Sequence, residues 1–264
     1  MIKYKYLLEG VNMKVLDNKM KQQFSKHVSA HRGASGLVEH ENTIEAFEKA
    51  IEVGADSIEC DVRKTKDGII VINHNADIYG LLIKDHTYNE LNEECNKHGY
   101  HLATLIEGLN TVKDKIALDI EIKEVGYEDE ILNQCLSVLN EGEFYFRSFY
   151  DSTLLKMKEL NPNITTVLLL GLDKTKHKIK TRISELFPRK RIRKCKCDAI
   201  SPYHQLLLFG YCKRVHRLNC RVYVWTVNNK ELMEKVLYKK KADGVVTNYP
   251  NIALDLVKEK DGLN

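Results

Sequence analysis

Two short stretches of this sequence place carboxylates where a buried strand should be apolar. Ser57-Ile58-Glu59-Cys60-Asp61-Val62 sets Glu59 and Asp61 two residues apart, and Ile116-Ala117-Leu118-Asp119-Ile120-Glu121-Ile122-Lys123 does the same with Asp119, Glu121 and Lys123. In a β-strand, residues two apart share a face, so each stretch presents its acids together. Carboxylates that close repel one another unless a cation or a shared proton compensates, and an all-oxygen set favours Mg²⁺ or Ca²⁺ over zinc. The alternative use is structural, in ion pairs with Lys123, Arg63 or Arg32. Asp119 lies deeper in its strand and reads as an ion-pair residue.

Two histidines join these acids. His31 ends a short apolar stretch in His31-Arg32-Gly33, and His74 ends another in Ile72-Asn73-His74. Imidazole titrates near neutrality and moves a proton either way, so a pair at one site suits general acid and base work. The other eight histidines fall in loops or helices and receive no role.

The elements that must position these groups follow from periodicity. Short β-branched runs alternate with helical patterns, beginning at Val28 to His31 and Thr43 to Val53 and ending at Gly244 to Thr247 and Ile252 to Glu259. Between them come strands at Ser57 to Val62, Ile116 to Ile122, Phe144 to Phe146, Ile164 to Leu170, Ala199 to Ser201 and Val222 to Thr226, with helices that include Lys176 to Leu186 and Leu206 to Leu218. Eight strand and helix units imply parallel pairing and a (β/α)8 TIM barrel, with an open doubly wound sheet as the alternative. Residues 75–103 exceed an ordinary connection and read as a small insertion after the second strand. Residues 1–27 precede the first strand as an N-terminal extension, within which Met13 or Met20 could be the physiological start. The barrel domain is then 28–264. Carboxylates at strand C-termini fall on the barrel mouth, where enzymes of this architecture keep their chemistry.

Composition excludes other classes. Of 264 residues, 43% are apolar and 30% charged, enough for a sizeable core and unlike a disordered or fibrous chain. No run approaches the ~18 apolar residues of a membrane span, and the first 27 residues lack a secretory signal's apolar block. Seven cysteines, an odd number without paired metal spacing, suit a reducing compartment, hence the cytoplasm. Charge is uneven: Lys174 to Lys196 holds eleven basic residues and one acid, so this stretch carries +10 of a net +4 and the rest of the chain −6. Chain order puts 189–194 before the sixth strand, hence on the N-terminal face away from the mouth. That run is read either as a solvated surface or as a peripheral contact with an anionic membrane, and no nucleic-acid motif accompanies it.

The ordered set His31-Arg32-Gly33, Glu41-Asn42-Thr43, Glu59-x-Asp61-Val62, His74, Glu121-x-Lys123, Ser148-Phe149, Trp225-Thr226-Val227-Asn228 and Asp243-Gly244-x-x-Thr247 resembles the glycerophosphodiester phosphodiesterases over about residues 28–254. That resemblance implies a TIM barrel with an insertion after the second strand. It also implies hydrolysis of small-molecule glycerophosphodiesters to glycerol 3-phosphate and an alcohol, with a divalent cation, Ca²⁺ or Mg²⁺. By position it makes Glu59, Asp61 and Glu121 metal ligands, His31 and His74 the acid and base, and Arg32 and Lys123 holders of the phosphate. Glu41 becomes a supporting or mouth residue, and Trp225 a wall of the substrate pocket or plain barrel packing. Departures fall near the insertion: His40 stands where the family usually has proline, Asn75 where it has aspartate, and Asp77-Ile78-Tyr79-Gly80 where it has an Arg-Thr-Thr stretch. A pocket changed there could admit an acyl chain, giving a phospholipase D-like activity on lysophospholipids. A non-catalytic binding barrel is the third reading.

Overall fold

The computed structural model describes residues 26–171 and 178–262. Eight parallel strands close on themselves: β1 (His27–His31), β2 (Ser57–Lys64), β6 (Ala117–Ile122), β7 (Phe144–Ser148), β8 (Thr166–Leu170), β9 (Ala199–Pro202), β10 (Arg221–Val224) and β11 (Gly244–Thr247). Closure is made by β1, which pairs in parallel with both β2 and β11. Helices α1 (Ile44–Glu52), α3 (Leu105–Val112), α4 (Glu128–Val138) and α5 (Asp151–Leu160) cover the first half of the barrel. On the second half lie α6 (Lys178–Leu186), α7 (Arg189–Cys195), α8 (Tyr211–His216), α9 (Lys230–Glu234) and α10 (Pro250–Asp261).

Alternation along the strands sorts the side chains into two populations. Ile58, Cys60 and Val62 of β2, Leu118, Ile120 and Ile122 of β6, and Phe144 and Phe146 of β7 are buried against Phe47, Leu105, Leu109, Ile131 and Met157 of the surrounding helices. The intervening residues, Ser57, Glu59, Asp61, Asp119, Glu121, Tyr145 and Arg147, therefore line the barrel interior, which on this side is polar rather than aliphatic. They stack in tiers. At the bottom, Ser57 Oγ lies 2.9 Å from both His27 Nε2 and Tyr145 Oη. In the middle, Arg147 donates to Asp119 through Nε at 2.7 Å and also through Nη2, with both residues buried. The carboxylates of the mouth form the top.

The insertion begins as a continuation of β2. After the Asp67-Gly68 turn, β3 (Ile70–Ile72) runs back antiparallel along β2, so the chain returns toward the barrel mouth. A two-residue hairpin, β4 (Asp77–Ile78) with β5 (Leu81–Leu82), and α2 (Tyr88–Lys97) follow. Thr87 and Glu90 form a reciprocal cap at the start of α2, which satisfies amide groups that a helix end leaves open. Val71, Ile78, Ile83, Leu91, Cys95 and Leu102 give this unit a small core of its own.

Two elements differ from the sequence reading. The single helix expected over Leu206 to Leu218 is a short 3₁₀ turn (His204–Leu206) and then α8, broken where Phe209 and Gly210 adopt positive φ of 51° and 65°. The second is α7, a helix that periodicity missed under its dense positive charge; Ile192 and Cys195 bury its inner face. Its position corrects the placement of residues 189–194 on the N-terminal face. Arg191 donates to Asp151 Oδ1 at 2.6 and 2.9 Å and to the Phe149 carbonyl at 3.0 Å, both just beyond the C-terminal end of β7. Hence α7 starts at the mouth and descends beside α5. The physical reason is that α6 turns across the top of the barrel, leaving α7 to make the return. The expected extension 1–27 lies outside the described residues except for Lys26 and His27, as do the first two residues of the helix expected from Lys176.

Candidate active site

Three carboxylates converge at the mouth. Asp61 and Glu121 sit opposite each other in the β2 and β6 register, and Glu59 lies one inward step below Asp61. One oxygen from each of Glu59, Asp61 and Glu121 falls within 4.8 Å of the others, and all three residues are buried. Burial pushes the Glu59 carboxyl well above its ordinary range, with Asp61 adding to the effect. Burial also lifts Glu121 to about 7, against the pull of Lys123. Asp61 bears the same desolvation, yet Lys123 and Arg32 hold it well below the usual carboxylate range.

Positive groups hold this cluster unevenly. Lys123 Nζ donates to Asp61 Oδ1 at 3.0 Å and to Glu121 Oε1 at 2.8 Å. The Arg32 main-chain N–H donates to Glu59 Oε2 at 3.0 Å, while its guanidinium donates to Glu41 Oε1 at 2.6 Å and brings Nε to 3.4 Å from Asp61. That arrangement needs the tight turn after β1, where Arg32 and Gly33 both have positive φ. A Cβ on Gly33 would lie 2.5 Å from that of Ala46, so only glycine fits against α1. Glu41 is thus tied to the cluster through Arg32 at its solvent edge.

His31 ends β1 with Nε2 3.9 Å from Glu59 and Nδ1 2.7 Å from Asn248 Oδ1. The amide oxygen accepts from Nδ1, leaving the lone pair on Nε2 toward the carboxylates. Burial, reinforced by the charge of Arg32, lowers the His31 pKa to about 3, so the ring is neutral. His74 arrives from the other side: Asn73 N–H donates to the Asp61 carbonyl at 2.9 Å, and Arg63 grips the His74 carbonyl through Nε at 3.1 Å and Nη2 at 2.7 Å. Its Nδ1 lies 3.0 Å from Asn75 Oδ1, and burial lowers its pKa against the pull of Asp61. Asparagine at 75 keeps a side-chain partner for the ring but a neutral one.

Trp225 belongs to a separate group across the mouth. It packs against Phe149 and Tyr203, each with ring centroids 5.7 Å away, and its Nε1 donates to the Ser201 carbonyl at 2.7 Å. Asn42, Asn248 and Arg147 received no role from the sequence, and Arg63 only that of a salt-bridge partner for the carboxylates, whereas it grips the His74 carbonyl. Asn42 could have been found from its type, since asparagine immediately before a helix-capping threonine tolerates the left-handed conformation it adopts here. Asn248 could not, because its partner His31 lies 217 residues away in the chain.

The sequence and the fold are matched by known proteins. The model of the glycerophosphoryl diester phosphodiesterase family matches residues 31–252. The glycerophosphodiester phosphodiesterase of Caldanaerobacter subterraneus is 28% identical over 250 residues, covering 88% of this chain and 98% of that one. The crystal structure of the glycerophosphodiester phosphodiesterase of Thermotoga maritima is similar with a TM-score of 0.70 at 28% identity, covering 87% of this chain and 97% of that one. An Oleispira antarctica phosphodiesterase in complex with the product sn-glycerol-3-phosphate shares the fold, with a TM-score of 0.72 at 22% identity and coverage of 89% and 98%. The chain belongs to the glycerophosphoryl diester phosphodiesterase family.

Proposed function

We propose that this phosphodiesterase releases glycerol 3-phosphate and an alcohol from soluble glycerophosphodiesters, with Glu59, Asp61 and Glu121 holding a divalent cation and His31 and His74 moving the protons. The observation that carries this reading is the convergence of three buried carboxylates beside His31 and His74. A product-bound relative of the same fold supports the product's identity.

The donor set fits a hard cation. All three donors are carboxylate oxygens, and Glu59, 3.9 Å from the neutral His31 ring, takes the main-chain N–H of Arg32 rather than its guanidinium. Such a set suits Ca²⁺ or Mg²⁺. When bound, the cation supplies polarisation of a phosphoryl oxygen and relieves the repulsion among the carboxylates. Arg32 and Lys123 neutralise the non-bridging oxygens as negative charge grows on them. His31 accepts a proton at Nε2 from the attacking hydroxyl, of water or of the substrate's own glycerol, while Asn248 keeps Nδ1 protonated. His74 gives a proton to the departing alkoxide. Glu41 steadies Arg32, and Trp225 walls the glycerol or the leaving group.

Residues 189–194 add a peripheral contact with an anionic membrane, since Arg189, Lys190, Arg193 and Lys194 are exposed. Seven free, buried thiols support a reducing compartment, the cytoplasm. No helix of the described residues is long and apolar enough to cross a membrane.

A coupled assay for glycerol 3-phosphate release from glycerophosphocholine, run with and without EDTA, tests the reading. Full turnover in chelator with no bound divalent ion ends the metal assignment. Choline release from lysophosphatidylcholine without glycerol 3-phosphate from the soluble diester replaces it with the phospholipase D-like reading. Inertness toward both leaves a binding barrel.

A further inference from the structure

Four of the five most exposed large apolar side chains among the described residues, Ile179 (78%), Phe209 (76%), Phe187 (56%) and Ile183 (55%), lie in the connections that follow β8 and β9. Arg214 joins the two connections: its guanidinium stacks 4.8 Å from the Phe187 ring centroid and donates to the Phe209 carbonyl at 2.6 Å and the Leu186 carbonyl at 2.8 Å. The patch sits on the rim of the mouth. Glu185 of α6 accepts from the Gly171 N–H at 2.8 Å, and Gly171 is so close to Trp225 that a Cβ there would lie 3.4 Å from the indole.

Its amphipathicity is inverted. Ile179, Ile183 and Phe187 follow one another at four-residue spacing and so share one face, yet that face is open to solvent. The face of α6 turned to the barrel carries the buried Glu185 and the partly buried Leu186. A helix that hides a carboxylate and shows its isoleucines is shaped for a second apolar phase rather than for water. Around the patch, Lys178, Lys180, Arg189 and Lys190 are exposed and make no ion pair with a carboxylate among the described residues.

Exposed apolar side chains flanked along the chain by exposed cations fit one partner best, the surface of an anionic bilayer, which takes the former at the acyl boundary and the latter at the headgroups. A nucleic acid would leave the apolar residues unused, whereas lipid engages both kinds of side chain at once. We infer that this rim docks on anionic lipid, inserting Ile179, Ile183, Phe187 and Phe209 and turning the mouth toward the membrane. This deepens the membrane contact stated above for 189–194. It stands apart from which diester is cleaved.

The test is co-sedimentation of the full chain with vesicles of phosphatidylcholine alone and of phosphatidylcholine with phosphatidylglycerol, at low and high salt. The wild type should pellet with the anionic vesicles. Ile179→Ser/Ile183→Ser/Phe209→Ser should cut partitioning by about tenfold or more, with glycerol 3-phosphate release from soluble glycerophosphocholine equal to the wild type. Lys178→Gln/Lys180→Gln/Arg189→Gln/Lys190→Gln should remove the salt-sensitive part, about fivefold per cation. Failure of the wild type to pellet, or equal pelleting of all three proteins, overturns the docking surface while leaving the catalytic reading intact. A soluble dimer that the serine variant converts to monomer, without vesicle binding, overturns it in favour of self-association. Vesicle binding by a chain inert toward glycerophosphocholine supports the surface and overturns only the substrate reading.

Discussion

Asn42 and Asp61 grip each other at two points: Asn42 Nδ2 donates to Asp61 Oδ2 at 2.9 Å, and the Asp61 main-chain N–H reaches Asn42 Oδ1 at 3.4 Å. The grip depends on Asn42 adopting φ of 58°, with its own N–H bonded to the Arg32 carbonyl at 2.9 Å. It fixes the one carboxylate of the cluster that faces both Lys123 and Arg32. Asn42→Ala should therefore weaken divalent-ion affinity by about 10–100-fold, as outer partners of metal ligands do. Activity titrated against Mg²⁺ and Ca²⁺ checks this, and an unchanged midpoint would show the grip to be structural only.

Glu59 is the least compensated acid of the three. Glu59→Gln should lower turnover by at least about 100-fold, while the melting temperature in chelator holds or rises as repulsion is relieved. Calorimetry on metal-free protein separates this from a packing loss, which would lower the melting temperature of the variant.

Asp119 and Arg147 form a buried pair beneath the site, where burial lifts the Asp119 carboxyl to about 6 against the pull of Arg147. Asp119→Ala should cost about 3–5 kcal/mol because it strands a guanidinium in the barrel. Asp119→Leu/Arg147→Met should cost much less, since no charge is left unpaired. Urea unfolding of the three metal-free proteins gives the comparison.

His27, buried at the barrel floor against Ser57, has its pKa lowered by burial. Below about pH 6.5 the unfolded chain takes up a proton that the folded ring refuses, so stability is full above that pH and falls as acid is added, until the folded pKa is reached. His31 acts in the same direction. Thermal melts between about pH 7.5 and about pH 5 should show a smaller acid-side loss for His27→Gln than for the wild type, and identical slopes would remove His27 as a cause.

Much of this was readable without coordinates. Period-two carboxylates in Glu59-x-Asp61 and Asp119-x-Glu121 state which acids share a face, because alternation is a local property of extended backbone. The strand and helix alternation likewise states parallel pairing, and Asp119 read as an ion-pair residue meets its cation in Arg147. What remained hidden depends on contacts between distant segments. The partners of His31 and His74, Asn248 and Arg63, lie 217 and 11 residues away and reach them only after closure of the barrel and the return of β3 along β2.

The helix at 189–195 shows the limit most clearly. Its sequence, crowded with like charge, argues against a stable helix, and order along the chain alone puts it on the wrong face. Burial of Ile192 and Cys195 and the Arg191 pair with Asp151 decide both matters. Sequence by itself determined which groups could do chemistry and the strand and helix alternation that would present them, since both follow from side-chain type and local period, whereas closure of the barrel shows only in the pairing of β1 with both β2 and β11. Tertiary structure alone decided how the carboxylates share Lys123 and Arg32 and which face of α6 meets water, because charge pairing and burial exist only once remote strands have closed around a common axis.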